Sequence, residues 1–430
     1  MAEPTPDTLV IGAGPAGLAA ARALRERHLP YTHVERHSSV GGLWDIDNPG
    51  SPMYESAHFI SSRTLSGFTG FPMPEHYPDY PHHTQILEYL RAFAEHYHLT
   101  ERIGFERAVA GIEREDGGTF VATYADGTTS RHAQVIAATG VQWEPNVVEI
   151  PGYTGEVRHS VTYRSADEFK GRRVMIVGAG NSGCDIACDA AAWADRAVIS
   201  LRRGYWFIPK HIFGQPVDVF AENGPAMPMR VEQAVFARLL RLINGDVTRL
   251  GLPAPDHKLF ETHPILNDQL LHHLRHGDVT ARPAIASALG TTVTFTDGST
   301  EDVDLILLAT GYRHTVPYAQ ELYGDEQHPD MYLTAFARTP GVYGIGFVET
   351  NSGAYGLMEK LAAMVASHIR DREHRPEQWD RFERHIATDR PDLSGAIRFV
   401  DSPRHQGYVD SHAISRYLVA VSRRMGWELP

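Results

Sequence analysis

Two cysteines in 430 residues leave nothing for a disulfide scaffold or a four-cysteine zinc site. That count fits a reducing compartment. No run of about 18 apolar residues occurs, so no membrane-spanning helix is expected. The first residues, M-A-E-P-T-P-D, lack the basic and apolar regions of a signal peptide. A cytoplasmic location with no membrane partner is therefore expected. Lysine is nearly absent, which reads as genomic bias. No G-x-S-x-G elbow and no H-E-x-x-H pair appears, so hydrolase triads and zinc-protease chemistry lack support. Basic residues number 40 against 53 acidic ones, for a net charge of -13, which makes nucleic acid a poor general partner.

What is present reads as ordinary globular sequence. Hydrophobic residues make up 42% and charged residues 22%, which argues against disorder. At about 150 residues per domain the length allows two or three domains.

The first segment reads strand, glycine turn, helix, strand. Residues 8–11 are apolar and β-rich. Gly12-Ala13-Gly14-Pro15-Ala16-Gly17 follows, then an Ala/Leu-rich helix to about His28 and a strand over 31–34 ending at Glu35. The same unit recurs at 173–177, Gly178-Ala179-Gly180-Asn181-Ser182-Gly183, a helix to Trp193 and a strand over 197–201. In such a turn the first Gly permits the bend and the second lets backbone approach a pyrophosphate. The third lets helix and strand pack, and the helix N-terminus offers free N–H groups to the phosphates. A second echo joins 119–140 to 292–311: each reads strand, Asp-Gly turn, strand and an A-T-G ending. The offset from Gly12 to Gly178 is 166 and from Gly127 to Gly298 is 171, so one domain plan is used twice. The fold class expected is α/β, with two Rossmann-like dinucleotide-binding domains of the three-layer ββα type. Their order places the second inside the first: 1–165 with 303–430, and 166–302 carrying a helical insertion at about 205–265. A helix over 85–97 is expected to pack on the first domain.

The residue ending the second strand separates the two sites. Glu35 would accept both hydroxyls of an adenosine ribose and repel a 2′-phosphate, which suits FAD or NAD. The second site has Arg202 and Arg203 and no acid. Arginine pairs with phosphate in a fork, so NADPH is favoured there over NADH. After Glu35 come Arg36 and then Gly41-Gly42-Leu43-Trp44. The glycine pair lets the chain pass close to a flat ligand, and Trp44 would line the pocket.

Together these segments resemble the flavin-containing monooxygenase family, class B flavoprotein monooxygenases. The resemblance rests on G-A-G-P-A-G, on E-R-x-x-x-x-G-G-x-W at 35–44, and on G-A-G-N-S-G-C-D-I-A at 178–187. It also rests on Tyr153-x-Gly155-x-x-x-His159-x-x-x-Tyr163, the family's linker motif with Tyr for its leading Phe, and on A-T-G-Y at 309–312. It implies FAD in the first domain, NADPH in the second and O2 as co-substrate. Reduced flavin would form a C4a-(hydro)peroxide and pass one oxygen atom to a small soft nucleophile, an amine or a sulfide. It also implies that Thr139-Gly140 lies against FAD and Thr310-Gly311 against NADPH. Asn351-Ser352 would start a helix from about Gly353 that faces the flavin pyrimidine.

One position departs from the family pattern. Where the family places an Asn beside the flavin, this chain has Ile60, which donates no hydrogen bond. Ser61, Ser62 and His58 are the neighbouring candidates for the flavin and peroxide environment. Baeyer–Villiger oxygenation of ketones and an NADPH oxidase or non-oxygenating flavin protein therefore stay open beside S- or N-oxidation. The linker ends Tyr163-Arg164, without the Trp expected for the Baeyer–Villiger branch. Cys184 and Cys188 read as packed residues and the His82-His83 and His272-His273 pairs as packed or solvated, so no metal is expected. A homodimer is compatible with the chain.

Overall fold

The structure is a computed structural model that describes residues 7–225, 227–324, 328–402, 405 and 407–430. The acidic residues 1–6 read above lie outside them.

The strand Thr8–Ile11 is buried at every position, so both of its faces must be covered. It pairs in parallel with Tyr31–Val34 on one side and Gln134–Ala137 on the other. The sheet extends to Ile103–Gly104 at one edge and, through Val342–Gly344, to two antiparallel edge strands at the other. Strand alternation sorts its side chains. Val10 and Ile136 face helix α1 (Pro15–Glu26) and the helix Tyr355–His374. Leu9, Ile11, Val135 and Ala137 face Ile112, Phe120, Ala122 and Tyr124 of a three-stranded antiparallel sheet. Helices, parallel sheet and small antiparallel sheet form the three layers.

The second sheet repeats the plan. Its order is Val279–Arg282, Arg196–Ser200, Arg173–Val177, Leu305–Leu308, Glu156–His159, all parallel. Val174 and Ile176 pack on the helix α4 (Asn181–Trp193) side, and Met175, Val198 and Ile306 pack on Val293 and Phe295 of a second antiparallel sheet. The protein is thus α/β with two Rossmann-like units.

Several details differ from the sequence reading. The run after each Asp-Gly turn is two strands, not one. Thr129–His132 stays antiparallel to Phe120–Tyr124, while Gln134–Ala137 joins the parallel sheet. The chain bends between them where Ala133 N donates to Asp7 O at 2.8 Å. The domain limits at 165/166 and 302/303 leave Glu156–His159 and Leu305–Leu308 on the wrong side, since both pair within the second sheet. The expected helix at 85–97 is α3 (His83–His96), starting earlier because His82 and Gln85 form a capping box. It packs Ile86, Leu90 and Phe93 into the first core.

The insertion at 205–265 is not wholly helical. It holds α5 (Val217–Glu222), α6 (Met229–Asn244) and short strand pairs around its own core of Ile208, Ile212, Leu240 and Leu259. Among the described residues no helix is long and apolar enough to cross a membrane.

Candidate functional site

The first glycine turn has no room for side chains. At Gly12, φ is +102°, and a Cβ would lie 2.6 Å from the Ala138 carbonyl oxygen. At Gly17 a Cβ would lie 1.7 Å from the Gly12 oxygen, and at Gly42 one would lie 2.9 Å from the Gly14 Cα. The glycine turn and the 41–44 turn therefore face each other as bare backbone. Gly14 is the N-cap of α1, and Pro15 fills its first turn, where a missing N–H costs nothing. Ala16 is buried beside them. Beneath the turn, His33 Nε2 donates to the Gly12 oxygen at 2.9 Å. Burial lowers its pKa to about 4, so it is neutral.

Glu35 is only 5% exposed. Its carboxylate accepts from Ala13 N at 2.5 Å and His37 N at 2.9 Å, which fixes it at the rim of the glycine turn. The Arg36 guanidinium lies 4.1 Å from the Trp143 ring centre and donates to Pro49 O at 3.1 Å. Gly140, with φ +75°, passes that Trp143 so closely that a Cβ would meet its Nε1 at 3.3 Å. Thr139 Oγ1 is 3.3 Å from the Tyr318 hydroxyl. Leu43 and Trp44 form a single 3₁₀ turn, and Trp44 packs edge-on against Phe59 with ring centres 5.2 Å apart.

The second turn matches the first. At Gly178, φ is +106° and a Cβ would lie 2.5 Å from the Ala309 oxygen; at Gly183 one would lie 2.2 Å from the Gly178 oxygen. Gly180 is the N-cap of α4, whose first N–H groups have no acceptor within the helix. Ser182 is exposed in that first turn. Asn181 is different from its reading as a phosphate-side group. Its side chain donates to Pro264 O at 3.2 Å and accepts from Leu266 N at 2.8 Å, tying the insertion to the turn. Arg202 is exposed, and among the described residues no carboxylate pairs with it. Arg203 instead pairs with Asp256 at 3.1 Å.

The linker joins the two units. His159 Nε2 donates to the Gly311 oxygen at 3.0 Å, and its Nδ1 accepts from Val161 N at 3.1 Å. Burial holds the ring below the usual histidine pKa, which suits a neutral tautomer with both nitrogens used. Thr310 Oγ1 donates to Asn146 O at 2.5 Å, so the second A-T-G is pinned to the chain leaving the first. The Tyr153 hydroxyl, absent from a Phe, donates to Val303 O at 3.0 Å. Tyr163 is fully buried and donates to Asp189 of α4 at 2.8 Å.

The segment with Ile60 lies between these units. Tyr54 donates to Asp185 at 3.2 Å and Ser56 to Asp189 at 2.6 Å, both on α4. Helix α2 (Arg63–Ser66) follows, with Ser62 as its N-cap. The hydroxyls of Ser62 and Ser66 are both buried and, among the described residues, have no partner. At Gly353 a Cβ would meet the Leu65 oxygen at 2.5 Å, so α2 abuts the start of the helix Tyr355–His374. Ile60 and Ser61 are half-buried, while His58 is exposed and its Nδ1 meets Ser56 O at 2.9 Å.

Asn351 and Ser352 do not cap that helix. Its N-cap is Ala354, with no side-chain bond. Asn351 donates to Asp410 at 3.1 Å and accepts from Ser411 N at 3.0 Å, because the C-terminal helix Ser411–Met425 begins beside it. Ser352 is half-buried. Cys184 and Cys188 are free and buried, as packed residues. Trp143 went unread in the sequence; its position three residues past Gly140 is the signal that could have found it.

The bare backbone between Gly14 and Gly42, the carboxylate at its rim and the orphan serine hydroxyls fit a bound flavin dinucleotide. Two such turns, one ending in an acid and one in an arginine, define a flavoprotein with a separate nicotinamide site. The chain belongs to the FMO-like family, the flavin-binding monooxygenases, whose match spans residues 7–369. It is 28% identical to flavin-containing monooxygenase 5 of Mus musculus over 450 residues, covering 96% of this chain and 82% of that protein. It is 30% identical to indole-3-pyruvate monooxygenase YUCCA4 of Oryza sativa subsp. japonica over 376 residues, covering 80% and 83%. A flavin-containing monooxygenase structure from Stenotrophomonas maltophilia shares the fold with a TM-score of 0.66 at 21% identity, covering 86% of this chain and 99% of that one. The protein is an FAD-dependent NADPH monooxygenase with O2 as co-substrate.

Proposed function

We propose that the protein oxygenates a small nucleophile at sulfur or nitrogen. The observation that carries this reading is the paired turns with unlike strand ends, Glu35 at one and Arg202 at the other. Bound FAD would supply the redox and oxygen-activating chemistry. The chain's own residues bind, orient and exclude water. Backbone of Gly14 and Gly42 takes the FAD pyrophosphate, with Gly12 making the bend, Gly17 letting helix and strand pack, and Pro15 and Ala16 shaping the helix start. Glu35 takes the adenosine ribose hydroxyls. Arg36, Leu43, Trp44, Thr139 and Gly140 line the cavity around it, and Asn351 and Ser352 precede the helix at its far end. Gly180 and Ser182 take the NADPH pyrophosphate, Gly178 makes the bend, Gly183 lets helix and strand pack, and Asn181 holds the insertion against the turn. Arg202 meets the 2′-phosphate, with Arg203 steadied by Asp256 behind it. Thr310 and Gly311 close that side.

Ile60 offers no hydrogen bond, so Ser62, whose hydroxyl is buried and unpartnered among the described residues, is the donor this segment can turn toward the flavin. Ser61 and His58 flank it. The linker end Tyr163-Arg164 favours S- or N-oxidation over attack on ketones. We assign the first sheet unit to FAD and the second to NADPH, and place the protein in the cytoplasm. Light scattering decides between monomer and homodimer.

Anaerobic reduction of the purified flavoprotein tests the cofactor assignment: NADPH should bleach the flavin faster than NADH. With air admitted, a methyl aryl sulfide should yield sulfoxide. NADPH consumption that appears wholly as hydrogen peroxide, with no sulfoxide or N-oxide, would favour the oxidase reading, which Ile60 keeps in view.

A further inference from the structure

Helix α5 of the insertion reaches across the molecule to the Ile60 segment. Asp218 Oδ2 accepts the backbone N–H of Ser62 at 2.7 Å. Its other oxygen is taken by Val219 N at 2.9 Å. Ser62 is fully buried, and its own hydroxyl does not cap α2. The amide of Ser62 therefore depends on a carboxylate 156 positions away in sequence.

This contact is part of a grip. The Tyr80 hydroxyl donates to Lys210 O at 2.5 Å and accepts from Val217 N at 3.3 Å. His211 faces Asp79 at 3.1 Å, and Glu222 at the end of α5 faces His412 at 3.3 Å. On its other side the same segment is held by Asp185 and Asp189 of α4 through Tyr54 and Ser56. Ile60 thus sits on a stretch anchored at both ends. With Ile60 in place of a side-chain amide, the backbone path sets how closely Ser61 and Ser62 approach a bound flavin. A carboxylate accepting a backbone N–H is a strong, charge-assisted way to fix that path.

We propose that Asp218 is a positioning residue: through the Ser62 amide it fixes residues 60–62 against the flavin and sets how much oxygen reaches substrate. Oxygenation of a sulfide consumes one NADPH, one proton and one O2, and yields sulfoxide, NADP+ and water. The leak consumes the same NADPH, proton and O2, and yields NADP+ and hydrogen peroxide. Asp218 shifts the split between them through the backbone, since both of its oxygens accept backbone N–H groups. The inference rests on the monooxygenase reading of this site.

The test compares wild-type, Asp218→Ala and Asp218→Asn holoenzymes by flavin content, flavin reduction by NADPH, peroxide per NADPH and hydrogen–deuterium exchange over 60–66. Asp218→Ala should keep flavin content and reduction rate. Its 60–66 amides should exchange about tenfold faster, and its peroxide share in the presence of a sulfide should rise about threefold or more. Asp218→Asn should fall between wild-type and Asp218→Ala in both, because its one carbonyl oxygen can accept the Ser62 N–H while its NH2 cannot accept from Val219 N. Wild-type exchange or a wild-type peroxide share in Asp218→Ala would overturn the proposal, as would an Asp218→Asn enzyme no better than Asp218→Ala in both readouts. If Asp218→Ala loses its flavin, Asp218→Glu, which displaces the carboxylate by one methylene, should show an intermediate peroxide share; an unchanged share overturns the proposal. A wild-type enzyme that makes only peroxide with every nucleophile sinks the oxygenation reading instead, and the exchange data still judge the Asp218 anchor.

Discussion

Arg202 and Glu35 stand one position apart in two copies of one plan: Val34 and Ser200 end the paired strands, so Glu35 matches Leu201 and Arg202 matches Arg36. Glu35 accepts from two backbone N–H groups and sits at the turn's rim; Arg202 is exposed and, among the described residues, has no carboxylate partner. Arg202→Ala should raise the KM for NADPH by about tenfold while leaving NADH nearly unchanged, since a fork contact to one phosphate is lost. Steady-state kinetics with both nucleotides check this, and equal effects would contradict the phosphate role. Gly17→Ala places a Cβ 1.7 Å from the Gly12 oxygen, so that variant should purify without flavin, read from its visible spectrum. The glycines and Glu35 were legible in the sequence because their roles depend on neighbours a few residues away. Asn181 and Asn351 were not. Their partners, Leu266 and Asp410, lie far along the chain, and nothing local announces them. The same holds for Asp218 and Ser62.

The linker is the element whose motif gains most from the structure. A Tyr-x-Gly-x-x-x-His-x-x-x-Tyr spacing is only a pattern until His159 is seen to pin Gly311, and Tyr163 to reach Asp189 of α4. Gly155 leaves the Tyr153 ring its place there, since a Cβ would lie 2.3 Å from the Tyr153 hydroxyl. His159→Ala leaves the Gly311 carbonyl and Val161 N–H without their partner. It should cost about 1–3 kcal/mol of stability and slow flavin reduction by NADPH, measured by thermal unfolding and anaerobic mixing. An unchanged melting point would deny the linker its structural role. The strand-turn-helix units were readable from period and glycine spacing. The break at Ala133 was not, because the apolar run continues through it and only the pairing of Asp7 shows where one sheet hands over to the next.

At the scale of the whole molecule, the doubled plan was visible as two offsets that nearly agree, and the structure answers with two sheets of parallel core and the same three-layer build, the first with two antiparallel edge strands. The boundaries were less visible because Glu156–His159 enters the second sheet before its glycine turn begins. Burial of the neutral His33 ring gives the fold an acid limit. Its pKa is about 4 in the fold against 6.5 as the ordinary value, so the unfolded chain binds more protons between those limits. The stability it contributes is complete above pH 6.5 and is lost as pH falls toward about 4. Thermal unfolding of the holoenzyme should show melting temperature falling through that window. Burial also raises both thiols, Cys188 to about 12, so alkylation of the native protein at neutral pH should be slow and should speed up on unfolding.

The central claim is that this chain delivers one atom of O2 to a nucleophile at the expense of NADPH. Turnover of a methyl aryl sulfide under isotopically heavy dioxygen tests it most directly, with mass spectrometry of the sulfoxide and a parallel peroxide assay. The account predicts a heavy oxygen atom in the sulfoxide and product formed in step with NADPH consumed. Peroxide matching all of the NADPH, with no heavy oxygen in any organic product, would contradict it.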